Sequence, residues 1–172
     1  RHMLRSALDY GHPVAVRFPK GKVYGVPMDQ DWKQVPLGKA EVLKEGKDLF
    51  LAFGNMVMPA LEAAEKLEKQ GISLTVVNAR FAKPLDEELI LRYSRSGGTV
   101  LTAEEGVIAG GFGSAVRELL DRENRFDLRF KRLGLPVEIY PVGKVDQLRQ
   151  LHRLDVPGLI SQITDFYSGH TP

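Results

Sequence analysis

Arg17 and Lys20 stand three residues apart in Arg17-Phe18-Pro19-Lys20-Gly21. A guanidinium can clamp a phosphate with two parallel hydrogen bonds, and an ammonium adds a point charge. On a segment stiffened by proline, such a pair suits a phosphate monoester. Exposed basic pairs are common, so the spacing names a chemistry and not yet a role. Glu104 and Glu105 are adjacent and are expected just past the C-terminal end of a strand, where open α/β sheets hold ligands. Neighbouring strand residues point to opposite faces. The two carboxylates therefore do not form an acid–base pair, and helix capping or another structural hydrogen bond is expected. Gly110-Gly111-Phe112-Gly113 lies between a strand and a helix, where backbone N–H groups could cradle an anion. Its glycine spacing is not the dinucleotide fingerprint, and a tight turn is the plainer reading. Asp86 is placed to cap a helix, and Arg80 and Lys83 either bind phosphate or, as we expect, pair with Glu104 or Glu105. His2, His12, His152 and His170 share no ligand spacing. The chain has no cysteine, which removes disulfides, thiolate metal sites and cysteine nucleophiles together. No catalytic, cofactor-binding or metal-ligating residue is assigned.

The composition narrows the classes further. The 172 residues are 43% hydrophobic, enough for a packed core in one ordinary domain. Net charge is only +2, and the densest basic stretch, 122–132, is interrupted by Glu123 and Asp127. Nucleic-acid binding is not expected from that pattern. No apolar run reaches the ~20 residues of a membrane helix. The lack of cysteine agrees with a cytoplasmic location.

The elements that must position these residues follow from periodicity. Met3, Leu4, Ala7 and Leu8 repeat at helical spacing, and a short strand is expected over 13–17. Residues 18–38 carry Pro19, Gly21, Gly25, Pro27, Pro36 and Gly38, and read as an extended linker. An alternating strand over 40–45 is expected to turn at Gly46-Lys47 into a buried strand over 48–53. Gly54-Asn55 should cap a helix over 56–70, with Gly71 as its stop. Then come a strand over 72–78, a helix over 84–96, a strand over 99–103, a helix over 114–121, a strand over 128–133 and two short helices near 145–151 and 157–167. Alternating strands and helices predict an α/β fold of three layers, with a mostly parallel sheet flanked by helices.

In this order the motifs resemble one family, the 1-deoxy-D-xylulose-5-phosphate synthases. Val16-Arg17-Phe18-Pro19-Lys20-Gly21 resembles its Arg-Tyr-Pro-Arg-Gly segment, and Arg80-Phe81-Ala82-Lys83-Pro84-Leu85-Asp86 resembles its Arg-Phe-Val-Lys-Pro-Leu-Asp. Thr102-Ala103-Glu104-Glu105-Gly106 with Gly110-Gly111-Phe112-Gly113 resembles its Thr-Val-Glu-Glu and Gly-Gly-Phe-Gly pair, and Leu133-Gly134-Leu135-Pro136 also matches. The resemblance spans essentially the whole chain. It implies a transketolase-type C-terminal domain over 39–168 and a tail over 169–172. Residues 1–21 would end a preceding pyrimidine-binding domain, with a linker over 22–38.

It also implies a homodimeric, cytoplasmic enzyme that uses thiamine diphosphate and magnesium to condense pyruvate with glyceraldehyde 3-phosphate, for isoprenoid, thiamine and pyridoxal synthesis. The cofactor and metal motifs would lie upstream in the N-terminal and middle domains. This piece is expected to bind neither cofactor nor metal, to be inactive alone, and to pack with those domains and with a second copy. The family's second arginine in Arg-Tyr-Pro-Arg-Gly binds the aldehyde's phosphate. Here the position is Lys20, which keeps the charge and loses the fork. Arg17 is the expected helper. Val137 stands where the family commonly has aspartate. Two alternatives stay open: the matching domain of a transketolase or a 2-oxo-acid dehydrogenase β subunit, and a dimerisation module with no ligand.

Overall fold

The computed structural model describes residues 1–18, 25 and 27–169. The elements are α1 (His2–Ala7), β1 (Glu41–Lys44), β2 (Asp48–Ala52), a 3-10 turn at Gly54–Met56, α2 (Val57–Glu68), β3 (Leu74–Asn78), α3 (Glu87–Tyr93), β4 (Thr99–Val107), α4 (Phe112–Arg122), β5 (Arg129–Leu135), α5 (Val145–Leu151) and α6 (Val156–Tyr167). The strands form one sheet in the order β1-β3-β2-β4-β5. All its pairings are parallel except that of β1 with β3.

Alternation along the buried strands divides the core into two layers. Phe50, Val76 and Leu101 face α2 and α6, against Ala60, Ala64, Leu67, Leu159 and Ile163. Leu49, Leu51, Val77 and Val100 face the other way, against Ile90, Val116, Leu119 and Leu120 of α3 and α4. Every residue of β2 is buried, as its unbroken apolar run requires. Small alanines on α2 let that helix lie close to the sheet. The helix caps are local. Asp86 accepts from Leu89 N at 3.3 Å, and Asp155 from Gly158 N at 3.1 Å. Across the sheet Tyr167 Oη donates to Asp48 Oδ2 at 2.7 Å, while Asp48 Oδ1 accepts from Thr99 N at 2.9 Å. That contact pins the end of α6 to the start of β2 and β4.

Three expectations are corrected. The turn at Gly46-Lys47 does not make a hairpin, because β1 crosses to β3 with Glu41 opposite Asn78 and Val42 opposite Val77. Both edges of β2 are already taken, by β3 and β4. Gly46 itself packs against the backbone of Leu74, and its N–H donates to Thr75 Oγ1. The strand over 13–17 does not form: a strand needs a neighbour for its ladder, and these residues pair with no strand and are largely exposed. Asn55 lies in the 3-10 turn, and no side chain caps α2.

Residues near the start are tied to the segment that follows them. The buried Ser6 Oγ accepts from Val35 N at 2.9 Å, and Tyr10 Oη donates to Val35 O at 2.6 Å. Arg1 donates to Asp29 O at 2.6 Å, and His2 Nε2 lies 3.0 Å from the Asp29 carboxylate.

Candidate functional site

β4 runs past the expected end at 103 to Val107, so both glutamates belong to the strand. Their side chains separate as alternation requires. Glu104 turns inward and is 4% exposed. Its Oε2 accepts from Phe112 N at 2.9 Å and its Oε1 from Gly113 N at 2.8 Å. The N–H groups at the start of α4, which could have held a ligand's anion, thus hold the chain's own carboxylate. The glycines make this approach possible. A Cβ on Gly111 would collide with Glu104 Oε2 and Val107 O, and one on Gly113 with Thr102 Oγ1. Gly110 adds a turn at φ 69°, which few side chains tolerate. The structural reading of the Gly-Gly-Phe-Gly segment and of Glu104 is the one the geometry supports.

Glu105 turns the opposite way, onto Arg149 and Asn55. Arg149 of α5 donates to its Oε1 through Nε at 2.8 Å and Nη2 at 2.5 Å. Asn55 Nδ2 donates to Oε2 at 3.1 Å. Arg149 also lines a cleft of about 450 Å³ between α2 and the α5–α6 segment, with Met58, Leu61, Glu62, Asp146 and Val156 among others. Sequence reasoning missed Asn55 and Arg149 as partners of Glu105, since they stand 50 and 44 residues away. No local signal could have joined them.

The third cluster surrounds Asp86. Besides capping α3, it accepts from Ala40 N at 3.0 Å and from Lys39 Nζ at 3.3 Å, fixing the chain where it enters the sheet. Arg80 pairs with Glu41 at 2.6 Å, not with Glu104 or Glu105, because the antiparallel β1 brings Glu41 beside the end of β3. It does so from a left-handed backbone at φ 56°. Lys83 is exposed.

Of the two residues expected to bind phosphate, Arg17 is exposed in the irregular 13–18 segment. Lys20 lies outside the described residues. The structure therefore does not test their pairing. Among the described residues no three His, Cys, Asp or Glu side chains gather as a metal site, and no helix is long and apolar enough to cross a membrane.

A family model described as the transketolase C-terminal domain matches residues 38–159. The chain is 46% identical over 170 residues to 1-deoxy-D-xylulose-5-phosphate synthase 1 of Geobacter metallireducens, covering 98% of this chain and 27% of that protein. It is 49% identical over 165 residues to 1-deoxy-D-xylulose-5-phosphate synthase 2 of Geobacter sulfurreducens, covering 95% and 26%. The chain thus spans about a quarter of the length of these relatives. Among solved structures, a split-gene transketolase described as an inactive beta4 tetramer matches with TM-score 0.79 and 29% identity, over 97% of this chain and 54% of that one. A transketolase of Pichia stipitis shares the fold at TM-score 0.55 and 21% identity, over 77% of this chain and 19% of that one. The chain belongs to the transketolase C-terminal domain family, and over nearly its whole length it is similar to 1-deoxy-D-xylulose-5-phosphate synthases.

Proposed function

We propose that this chain is the structural, self-associating C-terminal part of a cytoplasmic, thiamine-diphosphate- and magnesium-dependent synthase, a transferase that joins pyruvate to glyceraldehyde 3-phosphate and releases carbon dioxide. The observation that carries this reading is the 46–49% identity to synthases over nearly the whole chain. Thiamine diphosphate and magnesium would be held by other parts of the longer polypeptide. The present residues contain no Gly-Asp-Gly diphosphate motif. The α4 N-terminus, the one built anion cradle described above, is already filled by Glu104. Residues 1–21 would close the preceding domain, residues 22–38 would link it to the present one, and Lys20 with Arg17 would hold the aldehyde's phosphate. The chain alone would be inactive and would associate with a second copy, by analogy with the inactive beta4 tetramer of the split-gene transketolase.

Calorimetric titration of the chain with thiamine diphosphate and magnesium tests the reading. No heat of binding is expected, and pyruvate should not be decarboxylated. Micromolar affinity for the cofactor would overturn it.

A further inference from the structure

After β5 the chain leaves the sheet and rejoins the core at the buried Leu154. Both ends of the intervening segment, 136–152, are fixed. Leu135 O accepts from Ile108 N at 2.9 Å. At the other end Arg153 O accepts from Gln162 Nε2 at 2.8 Å, and Arg153 Nη2 donates to Ser161 Oγ at 2.7 Å and to Asp165 Oδ2 at 3.1 Å. The backbone turns there at φ 56°, in the left-handed region. Gly158 packs so closely on Arg153 that a Cβ would collide with its backbone. Between these ends lies α5, a seven-residue helix with no buried residue. So short a helix is not stable by propensity and ordinarily depends on a packed face. The loop before it is fastened to it. The Tyr140 ring meets His152 edge-on at 5.0 Å, and the Glu138 carboxylate lies 3.7 Å from His152 Nδ1. What ties the helix to the sheet is polar. Arg149 donates twice to Glu105 Oε1, and Asn55 holds the other oxygen of the same carboxylate. The Arg149 and Glu105 side chains are only 17% and 34% exposed, so solvent screens this pair less than an ordinary surface pair.

We propose that residues 136–152 form a flap hinged at Arg153, with Glu105 as its catch. Asp146, Arg149 and Gln150 of α5 form one wall of the cleft whose other wall is α2. Release of Arg149 from Glu105 therefore moves α5 away from α2 and widens the cleft. Closure needs no apolar burial by α5, so the flap's position is set by one carboxylate. Asn55 and Glu105 follow the two central strands, β2 and β4, so the catch sits on the most rigid part of the sheet. This device is independent of the functional reading above.

The 172-residue chain has no cysteine, so spin labels can be placed at will. Glu65→Cys and Gln150→Cys put one label on each wall of the cleft, at exposed positions. The distance between the labels should be narrowly distributed with Glu105 present, and longer and broader after Glu105→Gln. In the unlabelled chain, Glu105→Gln should speed hydrogen exchange over 145–151 by roughly tenfold or more, the loss of charge-assisted hydrogen bonds. Exchange over 48–52 and 112–122 should not change. Salt at about 1 M should speed exchange over 145–151 in the unsubstituted chain and have little effect in the Gln variant. An unaltered label distance in the Gln variant would overturn the proposal. So would faster exchange that spreads equally to β2 and α4, which would make Glu105 a general support of the fold. An unsubstituted chain whose α5 is indifferent to salt would overturn it too, however well the variant folds.

Discussion

The sheet with its two helical layers and the 136–151 face obey opposite accounts. In the sheet, charged groups are buried but matched within the chain: Glu104 by two backbone N–H groups, Asp48 by Tyr167 and Thr99, Asp86 by a cap, a strand entrance and Lys39. On the 136–151 face, Val137, Ile139 and Val142 are apolar yet left in water. The first region is complete without a partner. The second is ordered at its base by Arg149 and incomplete at its surface. The contrast teaches that polar burial is not by itself the mark of a functional site here. The interior carboxylates serve the fold.

The comparison can be broken most directly in the core. Phe50→Ala should cost about 3–5 kcal/mol, since Phe50 is fully buried between the sheet and α2. Chemical denaturation would measure it, and a loss below about 1 kcal/mol would mean that the α2–α6 layer is not a packed core. Glu104→Gln keeps the shape but removes the charge and one acceptor from the α4 N-terminus. A loss of about 2–3 kcal/mol is expected in the same assay. No loss would show that the carboxylate does not hold the Gly-rich turn.

The next effect lies at Lys20 and is kinetic. In the longer enzyme, Lys20→Ala should lower kcat/KM for glyceraldehyde 3-phosphate by roughly tenfold to a hundredfold, the loss of one charge-assisted contact to phosphate. Pyruvate should be used nearly as before, and Lys20→Arg should keep most of the activity. Steady-state rates with each substrate varied in turn decide this. Equal weakening of both substrates would assign Lys20 a structural role at the domain boundary.

Tyr167 sharpens the account of the sheet's polar contacts. Tyr167→Phe should cost about 1–2 kcal/mol at neutral pH, because it leaves Asp48 Oδ2 without its donor. Burial, and then the bond to Asp48, hold the Tyr167 hydroxyl above the ordinary tyrosine range. The folded chain therefore keeps this proton when the unfolded chain has lost it. The contribution is full below the unfolded value near 10 and falls as pH rises beyond it. Denaturation midpoints measured from about pH 8 to 11 should decline less steeply in the Phe variant, and parallel declines would contradict the assignment. The smallest effect belongs to the other region. Ile139→Ser should change monomer stability by no more than about 0.5 kcal/mol at low concentration. A larger loss in thermal unfolding would mean that Ile139 is covered within the monomer.

Much of the architecture was legible from local pattern. An unbroken apolar run announced β2, β-branched residues announced β3, apolar periodicity announced α2, the Gly-rich opening announced α4, and Asp86 was readable as a cap because capping partners lie three residues apart. The ordered motifs identified the family, since each depends only on residue type and sequence order. Other features required the fold. Antiparallel addition of β1 to β3 was hidden, because a strand's own pattern does not say which edge is free. The same crossing gave Arg80 its partner, Glu41. The identical pair Glu104-Glu105 acquired two unlike roles from one pleat: one carboxylate was turned onto the α4 amides and the other toward Arg149 and Asn55. Hydrophobic periodicity reports which residues prefer to leave water. It does not report whether the chain has enough surface to cover them. That is why Ile139 and Val142 read as ordinary apolar residues in sequence and became an open face only in three dimensions.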